Sequence, residues 1–427
     1  MTMPIVVRPM VNASELERQF YLSDIAFSEN PSVDNAAFWQ KYVTTLPYHH
    51  PERIRGAFQG KKMVGGYELF ERILHMGEAR LVTGCIGSVN TDPEYRNQGV
   101  ASALMHDAIN YAREHHYALL LLDGIPKFYY RFGYTDIFDV TSQEVDRAAI
   151  LAQSPSSYSV RLATLEDDAQ RILSLYERQH YPYTASFTRT LEIQQHTLRH
   201  RSTENPYLLA YDGNGNVHGF LSLRKEPQRH IADEILADDW QATLALLQYH
   251  AHQLDGHDTP ATLRYRLPVN HPLVYWMIAH LQVPDTNNQR DPNAFGAVLS
   301  LTFHHRHTGW MARIIDVQTL VREVLPAWQA RWQRSLASWS GTLAFAIDGE
   351  PFHLDIHGTQ ISISIPEEET SQVLHFSQQA FTQLLFGYRP IAWFLEEDET
   401  TVPLDVLSVL TILFPTEHAF ITRSDDF

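Results

Sequence analysis

The residues whose types and spacing best suit chemistry lie in Asn90–Ser102, which reads NTDPEYRNQGVAS. Its centre, Arg96-Asn97-Gln98-Gly99-Val100-Ala101, has the form R-x-x-G-x-A. Glycine at 99 lets the backbone come close to a ligand, and Ala101 keeps the start of a following helix small. The first amides of a helix have no partner inside it, and the macrodipole adds positive potential. This spacing therefore makes a seat for an anion. No G-x-x-x-x-G-K-[ST] run occurs, so the loop is not one for a nucleoside triphosphate; a pyrophosphate held mainly by backbone amides fits it better. By itself the motif is equally a plain turn from strand to helix.

The flanking elements favour the anion seat. Ala79–Val89 (ARLVTGCIGSV) is apolar enough for a buried central strand. Gly99–His115 sets Val100, Leu104, Ala108 and Ala112 along one face, with Ala101, Met105 and Ile109 beside them: a helix that packs on a sheet. Tyr117–Leu122 supplies a second buried strand, and strand–loop–helix–strand is an α/β unit. Ahead of it, Met10–Tyr21 and Phe38–Thr45 read as helical, and Arg55–Phe58 and Met63–Phe70 as a hairpin around Gln59–Lys62.

This first region spans 1–150. A small polar stretch, 152–158 (AQSPSSY), reads as a linker. Beyond it Tyr158–Glu166, the hairpin Tyr207–Arg224, the helix Trp240–Leu254 and the strand Thr262–Arg266 repeat the element order, so 158–305 reads as a second copy. Where the second copy would need the anion seat it has Asp238-Asp239-Trp240, acids that repel a pyrophosphate. One cofactor site per chain is expected. From 306 to 427 the texture changes. A helix over Asp316–Trp332 precedes three period-2 strands, Gly341–Ile347, Pro351–His357 and Gln360–Ile365, then apolar helices over Ser377–Leu385 and Pro403–Phe414.

The whole chain has 427 residues, which argues for two or three domains. Its 33 basic and 50 acidic side chains give a net charge of −17, and the basic stripe of a nucleic-acid binder is missing. An acidic field draws cationic small molecules, though a solvated, soluble surface is the preferred reading. One cysteine, Cys85, excludes an internal disulfide and a thiolate-rich zinc site. No stretch reaches the roughly 20 apolar residues of a membrane span, and the start lacks a secretion pattern, so a cytoplasmic protein is expected. His49-His50, His115-His116 and the run His304–His307 lack zinc-enzyme spacing. His196 and His200 have it, but Thr197 stands where the glutamate would be, and no metal is expected.

A second segment, Leu122-Asp123-Gly124-Ile125-Pro126-Lys127-Phe128-Tyr129-Tyr130-Arg131-Phe132-Gly133-Tyr134, carries Y-x-R-F-G-Y. With the R-x-x-G-x-A loop it resembles the Eis-type (enhanced intracellular survival) acetyltransferases of the GNAT superfamily. These join two GNAT-like halves to a C-terminal domain similar to sterol carrier proteins. The resemblance follows domain order along the whole chain, while its specific motifs lie in the first region and at the terminus. It implies an α/β (α+β) multidomain fold: two tandem mixed-sheet GNAT-like domains and a sterol-carrier-like third. It also implies an N-acetyltransferase that uses acetyl-CoA, a small-molecule amine acceptor and a homo-oligomer, a hexamer in the family. Ser88, Val89 and Asn90 would then meet the pantetheine arm, and Arg96, Asn97, Gln98, Gly99, Val100, Ala101 and Ser102 the pyrophosphate.

By the same resemblance Tyr129 is the general acid toward the CoA sulfur, with Tyr130 its neighbour and competitor. The main-chain carboxyl of Phe427 is the general base. A carboxyl near ~3.5 cannot strip an ammonium near ~10.4 outright, a mismatch of about 9 kcal/mol. It can accept the proton once attack has made the nitrogen acidic. Asp24, Phe27, Trp39, Asp425 and Asp426 are the candidate acceptor-binding residues, although an aspartate is more often a solvated charge or a helix cap. Cys85, inside a buried strand, is not expected to be a nucleophile. The final region could enclose a lipid; the preferred reading packs Ile361, Ile363 and Ile365 into a core. A non-catalytic GNAT-derived binding or lipid-carrier protein is the alternative, and such a protein would need neither Tyr129 nor an aromatic-ended tail.

Overall fold

The computed structural model describes residues 3–125, 127–201, 205–224, 228–256, 261–281, 300–305, 309–366, 373–397 and 400–427. Among the described residues the architecture is mixed α/β, with two seven-stranded sheets and one of four strands. The first strands are β1 (Ile5–Pro9), β2 (Ile54–Gln59), β3 (Lys62–Met76), β4 (Ala79–Thr91), β5 (Leu119–Asp123), β6 (Thr135–Asp136) and β7 (Val140–Asp146). Then come β8 (Ser159–Leu162), β9 (Tyr207–Tyr211), β10 (Val217–Leu223), β11 (Ile231–Ala237), β12 (Thr262–Arg266), β13 (Ser300–His305) and β14 (Trp310–Ile314).

The first sheet has the order β1-β2-β3-β4-β5-β14-β6, and the second β8-β9-β10-β11-β12-β7-β13. Strand for strand the two orders correspond, and in each sheet the fourth and fifth strands form the parallel pair. The two sheets thus share one topology. The sixth place of each sheet, however, is filled from the far side of the repeat: β14 lies between β5 and β6, and β7 between β12 and β13.

The limits expected from the sequence are 1–150, 158–305 and 306–427, and the strand exchange groups the chain in two. One compact unit is Met1–Phe138 with His307–Ala419 and Phe427; the other is Asp139–Arg306 with Phe420–Asp426. The final region groups with the first unit and keeps a four-stranded sheet of its own. Strand partners distant in sequence decide membership, and local periodicity carries no information about them.

In the first unit, helices α1 (Ala13–Phe27) and α2 (Val33–Thr44) start at Asn12 and Ser32, whose side chains accept from the amides of Glu15 and Asn35. The hydrophobic core between sheet and α3 (Val100–Glu114) includes Val64, Leu69, Ile86, Leu104, Met105 and Leu122. In the final region a four-stranded sheet orders Gln360–Ser364, Glu350–His357, Gly341–Ile347 and Val373–Phe376. Aromatic rings fill its interior: Trp328, Phe345, Phe352 and Phe381 are fully buried, and Phe345 stacks on Phe352 at 4.9 Å. Of the three isoleucines expected there, Ile361 is buried, Ile363 half-buried and Ile365 exposed. Gln360–Ser364 is an edge strand that ends before Ile365, so the alternation stops one residue short.

Candidate active site

The site begins where two parallel strands part. β4 and β5 pair only over Thr83–Ile86 and Leu119–Leu122, yet β4 runs on to Thr91 against β3. A bulge between Gly66 and Glu68 shifts the β3 register there, and Ser88 adopts φ 52°. Bulges re-aim a strand, and this one falls opposite Ser88 and Val89, beyond the last pair of β4 with β5. Ser88 and Val89 are half-buried; Asn90 is buried, its amide donating to the Ser88 carbonyl at 2.9 Å and to Gln19 Oε1 at 3.1 Å.

Past the 3-10 turn Pro93–Tyr95, Arg96 is extended, Asn97 takes φ 60° and Gly99 φ 85°. A Cβ on Gly99 would meet nothing within 4 Å, so this position needs glycine for its left-handed backbone alone. No side chain caps α3 and no acid sits in its first turn. Arg96, Asn97, Gln98 and Gly99 are exposed, Ala101 and Ser102 half-buried, and Val100 is buried as the helix's first anchor. Leu104, Met105 and Ile109 continue that buried face, each contributing roughly 1.5–3 kcal/mol. A firmly packed helix thus presents uncapped amides to solvent beside the opening, a geometry that accepts a pyrophosphate.

The second unit spends the equivalent amides internally. Asp239 caps the helix Trp240–His252 by accepting from Ala242 N at 2.8 Å and also takes the Tyr158 hydroxyl at 3.1 Å. Asp238 pairs with Arg178 at 2.9 Å. Replacing the cap, Asp239→Ala, is expected to cost about 1 kcal/mol and to lower the melting temperature by roughly 2–4 °C. Calorimetry should then still count one acetyl-CoA per chain; a second binding event would contradict this account.

At the end of β5 the chain turns through the 3-10 helix Tyr129–Phe132. Tyr129 is buried, its ring 4.9 Å from Phe128 and 6.0 Å from Tyr134, and Gly124 supplies space that a Cβ would take from that ring. Burial, with Asp123 adding to it, pushes the Tyr129 phenol up to about 12. Tyr130 is committed elsewhere: its hydroxyl donates to Asp136 Oδ2 at 2.6 Å. Gly133, at φ 83°, closes the turn, with the Gln378 amide donating to its carbonyl and Arg313 to that of Phe132.

Phe427 lies against β4. Its ring is 6.3 Å from Phe70 and 5.7 Å from Trp310. A Cβ built on Gly87 would sit 2.9 Å from its terminal carboxyl carbon and 3.1 Å from the carbonyl oxygen. The carboxyl therefore rests on a strand position bare of side chain, at the first residue past the parting of β4 and β5.

The acceptor-side residues fall differently. Asp24 is buried and holds the α1–α2 connection, accepting from Ser32 N at 2.6 Å and from Ser28 and Asn35. Asp425, in the second unit, accepts from Tyr176 at 2.8 Å and from Arg189 Nη2 at 3.0 Å, with Glu234 on the same guanidinium at 3.1 Å. Both were expected to meet a substrate. In the structure each carboxylate accepts from protein donors, Asp24 from the half-buried Ser28 and Asn35 and the exposed Ser32, and Asp425 from the buried Tyr176 and Arg189, since a desolvated charge needs such partners. Asp426 pairs with Arg423. Phe27 is exposed, and Trp39 is half-buried between Phe38 and Tyr42.

Two residues missed by sequence reasoning stand beside the site. Glu68 on β3 is the register partner of Gly87, and Gln19 on α1 lies against Gly66. The available signal was an acid inside the apolar run Met63–Phe70. Among the described residues no group of three His, Cys, Asp or Glu is gathered that could hold a metal, and no helix is long and apolar enough to cross a membrane. Of the run His304–His307, the side chains of His304 and His305, and Arg306 and His307 altogether, lie outside the described residues.

Residues 7–137 match the family model for the acetyltransferase (GNAT) domain. The enzyme class follows from that domain: acyl transfer from acetyl-CoA. A probable N-acyltransferase from Enterococcus faecalis has the same fold at TM-score 0.74 and 16% identity, over 100% of both chains. A GCN5-related N-acetyltransferase from Kribbella flavida superposes at 0.70 and 19% identity, over 100% of this chain and 99% of the other. Eis1 from Mycobacterium abscessus does so at 0.63 and 15%, over 99% and 100%. No curated protein matches the sequence.

Proposed function

We propose that the chain is an N-acetyltransferase that passes the acetyl group of acetyl-CoA directly to a primary amine of a cationic acceptor, of aminoglycoside, polyamine or lysine type. The observation that carries this reading is the Phe427 carboxyl resting on Gly87, at the mouth between β4 and β5, with Tyr129 at the end of β5. The first-turn amides of α3, with Arg96 to Ser102, hold the pyrophosphate, and Ser88, Val89 and Asn90 line the pantetheine arm. Phe427 takes the amine proton that becomes acidic as the carbon–nitrogen bond forms.

Tyr129 serves the departing sulfur. Its phenol, at about 12, is a weaker acid than a thiol near ~8.5. Full transfer is uphill by roughly 5 kcal/mol, so Tyr129 acts by hydrogen-bonding the thiolate in the transition state. Tyr129→Phe is expected to lower kcat by about 10²-fold with the acetyl-CoA affinity unchanged. Loss of affinity instead of rate would move Tyr129 out of the chemistry.

The deciding experiment measures CoA release from acetyl-CoA with a panel of polyamines and aminoglycosides. Stoichiometric acetyl-CoA binding without release for any amine would support the binding-protein alternative. By the resemblance, the reading also includes a homo-hexamer, a cytoplasmic location and a sterol-carrier-like final region. Sedimentation tests the first of these.

A further inference from the structure

A phenol can meet a departing sulfur only if the turn that carries it is held in place. Tyr129–Phe132 is a short 3-10 turn, closed by the Gly133 amide donating to the Tyr130 carbonyl at 2.9 Å. Resting on the transferase reading above, we infer that Gln378, in the final region, is a positioning residue for Tyr129. Its carboxamide is wedged between β14 and Gly133 and fixes the end of that turn.

The ladder of β14 and β6 shows where the wedge stands. Met311 pairs with Asp136 and Ala312 with Thr135. The Ile137 amide donates to the Trp310 carbonyl at 3.2 Å, so 311–136 is a non-hydrogen-bonded pair and 312–135 a bonded one. Two residues on, the same alternation would set the Ile314 amide directly on the Gly133 carbonyl. On its other side Ile314 faces Leu119 in a non-hydrogen-bonded pair, since the Ile315 amide donates to the Ala118 carbonyl at 3.0 Å. The Ile314 amide therefore points away from β5, toward Gly133.

That direct bond is replaced. β6 ends at Thr135, and Gln378 Oε1 accepts from the Ile314 amide at 3.1 Å while its Nε2 donates to the Gly133 carbonyl. A side-chain carboxamide has the donor and acceptor of a peptide group, so it spans the gap and keeps the two backbones apart. A buried amide is costly unless both its ends are bonded, and here both are. Gln378 is itself held: its backbone amide donates to Asp348 Oδ1 at 3.2 Å, and its carbonyl accepts from Thr382 Oγ1 at 2.6 Å.

From Gly133 the constraint passes to Tyr129 in one step. A Cβ on Gly133 would stand 2.5 Å from Arg313 Nη1 and 2.9 Å from Gln378 Nε2, so the turn end is packed against both. The next residue, Tyr134, is 1% exposed, and its ring meets that of Tyr129 edge-on at 6.0 Å. Truncating Gln378 leaves the Ile314 amide unpaired or lets the ladder close on Gly133. Either change moves Tyr134, and with it the wall behind the phenol.

The test is a double-mutant cycle on the full chain, built from Gln378→Ala and Tyr129→Phe. The readout is the single-turnover rate with acetyl-CoA and the best amine of the polyamine and aminoglycoside panel. Alone, Gln378→Ala should slow transfer by about 10-fold and leave acetyl-CoA affinity, by calorimetry, within about 2-fold. In the Tyr129→Phe background it should cost less than about 2-fold, because no phenol remains to be misplaced. A glutamine that only stabilised the fold would slow both backgrounds alike. Equal losses in the two, a loss of affinity instead of rate, or an unchanged rate would overturn the assignment. Should Gln378→Ala fail to fold, Gln378→Met fills the same space without an amide and reads the same ratio. A native chain that binds acetyl-CoA but acetylates no amine would fell the transferase reading and this one with it, whereas turnover with equal losses fells only this one.

Discussion

Adding one residue after Phe427 reduces acetyl transfer by about 10²–10³-fold while acetyl-CoA binds as before. Extension turns the terminal carboxylate into a neutral amide with no place for the amine proton. It also demands space where Gly87 has already been stripped of a side chain: a Cβ there lies 2.9 Å from the carboxyl carbon. The pyrophosphate seat on α3 does not involve Phe427, so affinity and rate separate cleanly. Gly87→Ala should act in the same direction, by pushing the carboxyl off the strand. Single-turnover acetylation by native and C-terminally tagged chains, with acetyl-CoA titrated by calorimetry, checks the pair. Equal turnover by the tagged chain removes Phe427 from the mechanism and leaves the cofactor seat standing.

A fragment of residues 1–150, the limit that local patterns favour, is expected not to fold. It lacks β14, which pairs with β5 over five positions and joins it to β6. Trp310, Met311, Ala312 and Ile314 are all buried. Losing three large side chains at roughly 1.5–3 kcal/mol each removes much of the 5–15 kcal/mol that keeps a domain folded. The fragment also retains β7, whose partners β12 and β13 it does not contain. Circular dichroism with thermal melting decides the matter. A cooperative transition in 1–150 alone would contradict the topology, and a fragment fused to 309–316 should regain part of the missing edge.

The sequence made local elements legible where one period dominates. The helix at Val100–Glu114, the strand at Ala79–Thr91 and the hairpin of β2 and β3 lie within a few residues of their expected limits, since each buries a face that its own pattern spells out. The R-x-x-G-x-A loop was readable for the same reason: its backbone demand falls on one glycine. Membership of β7 and β14 was not, because pairing across more than a hundred residues leaves no mark on either strand. The partners of Asp24 and Asp425 were not legible, since an aspartate looks alike whether it faces solvent or a protein donor; only the structure sets Ser32 beside one and Arg189 beside the other. Glu68 escaped notice as a lone acid in an apolar strand, and its meaning came from the register that sets it opposite Gly87.

The crossed-over sixth strands have a consequence for synthesis. A nascent chain extends by about 5–20 residues per second, so the stretch between Asp123 and Trp310 keeps the ribosome occupied for roughly 10–40 s. Throughout that interval the hydrogen-bonding rim of Leu119–Asp123 waits for a neighbour not yet translated. Any cell making this protein has to shield that rim, and slow codons or scarce chaperones would tell first in its yield.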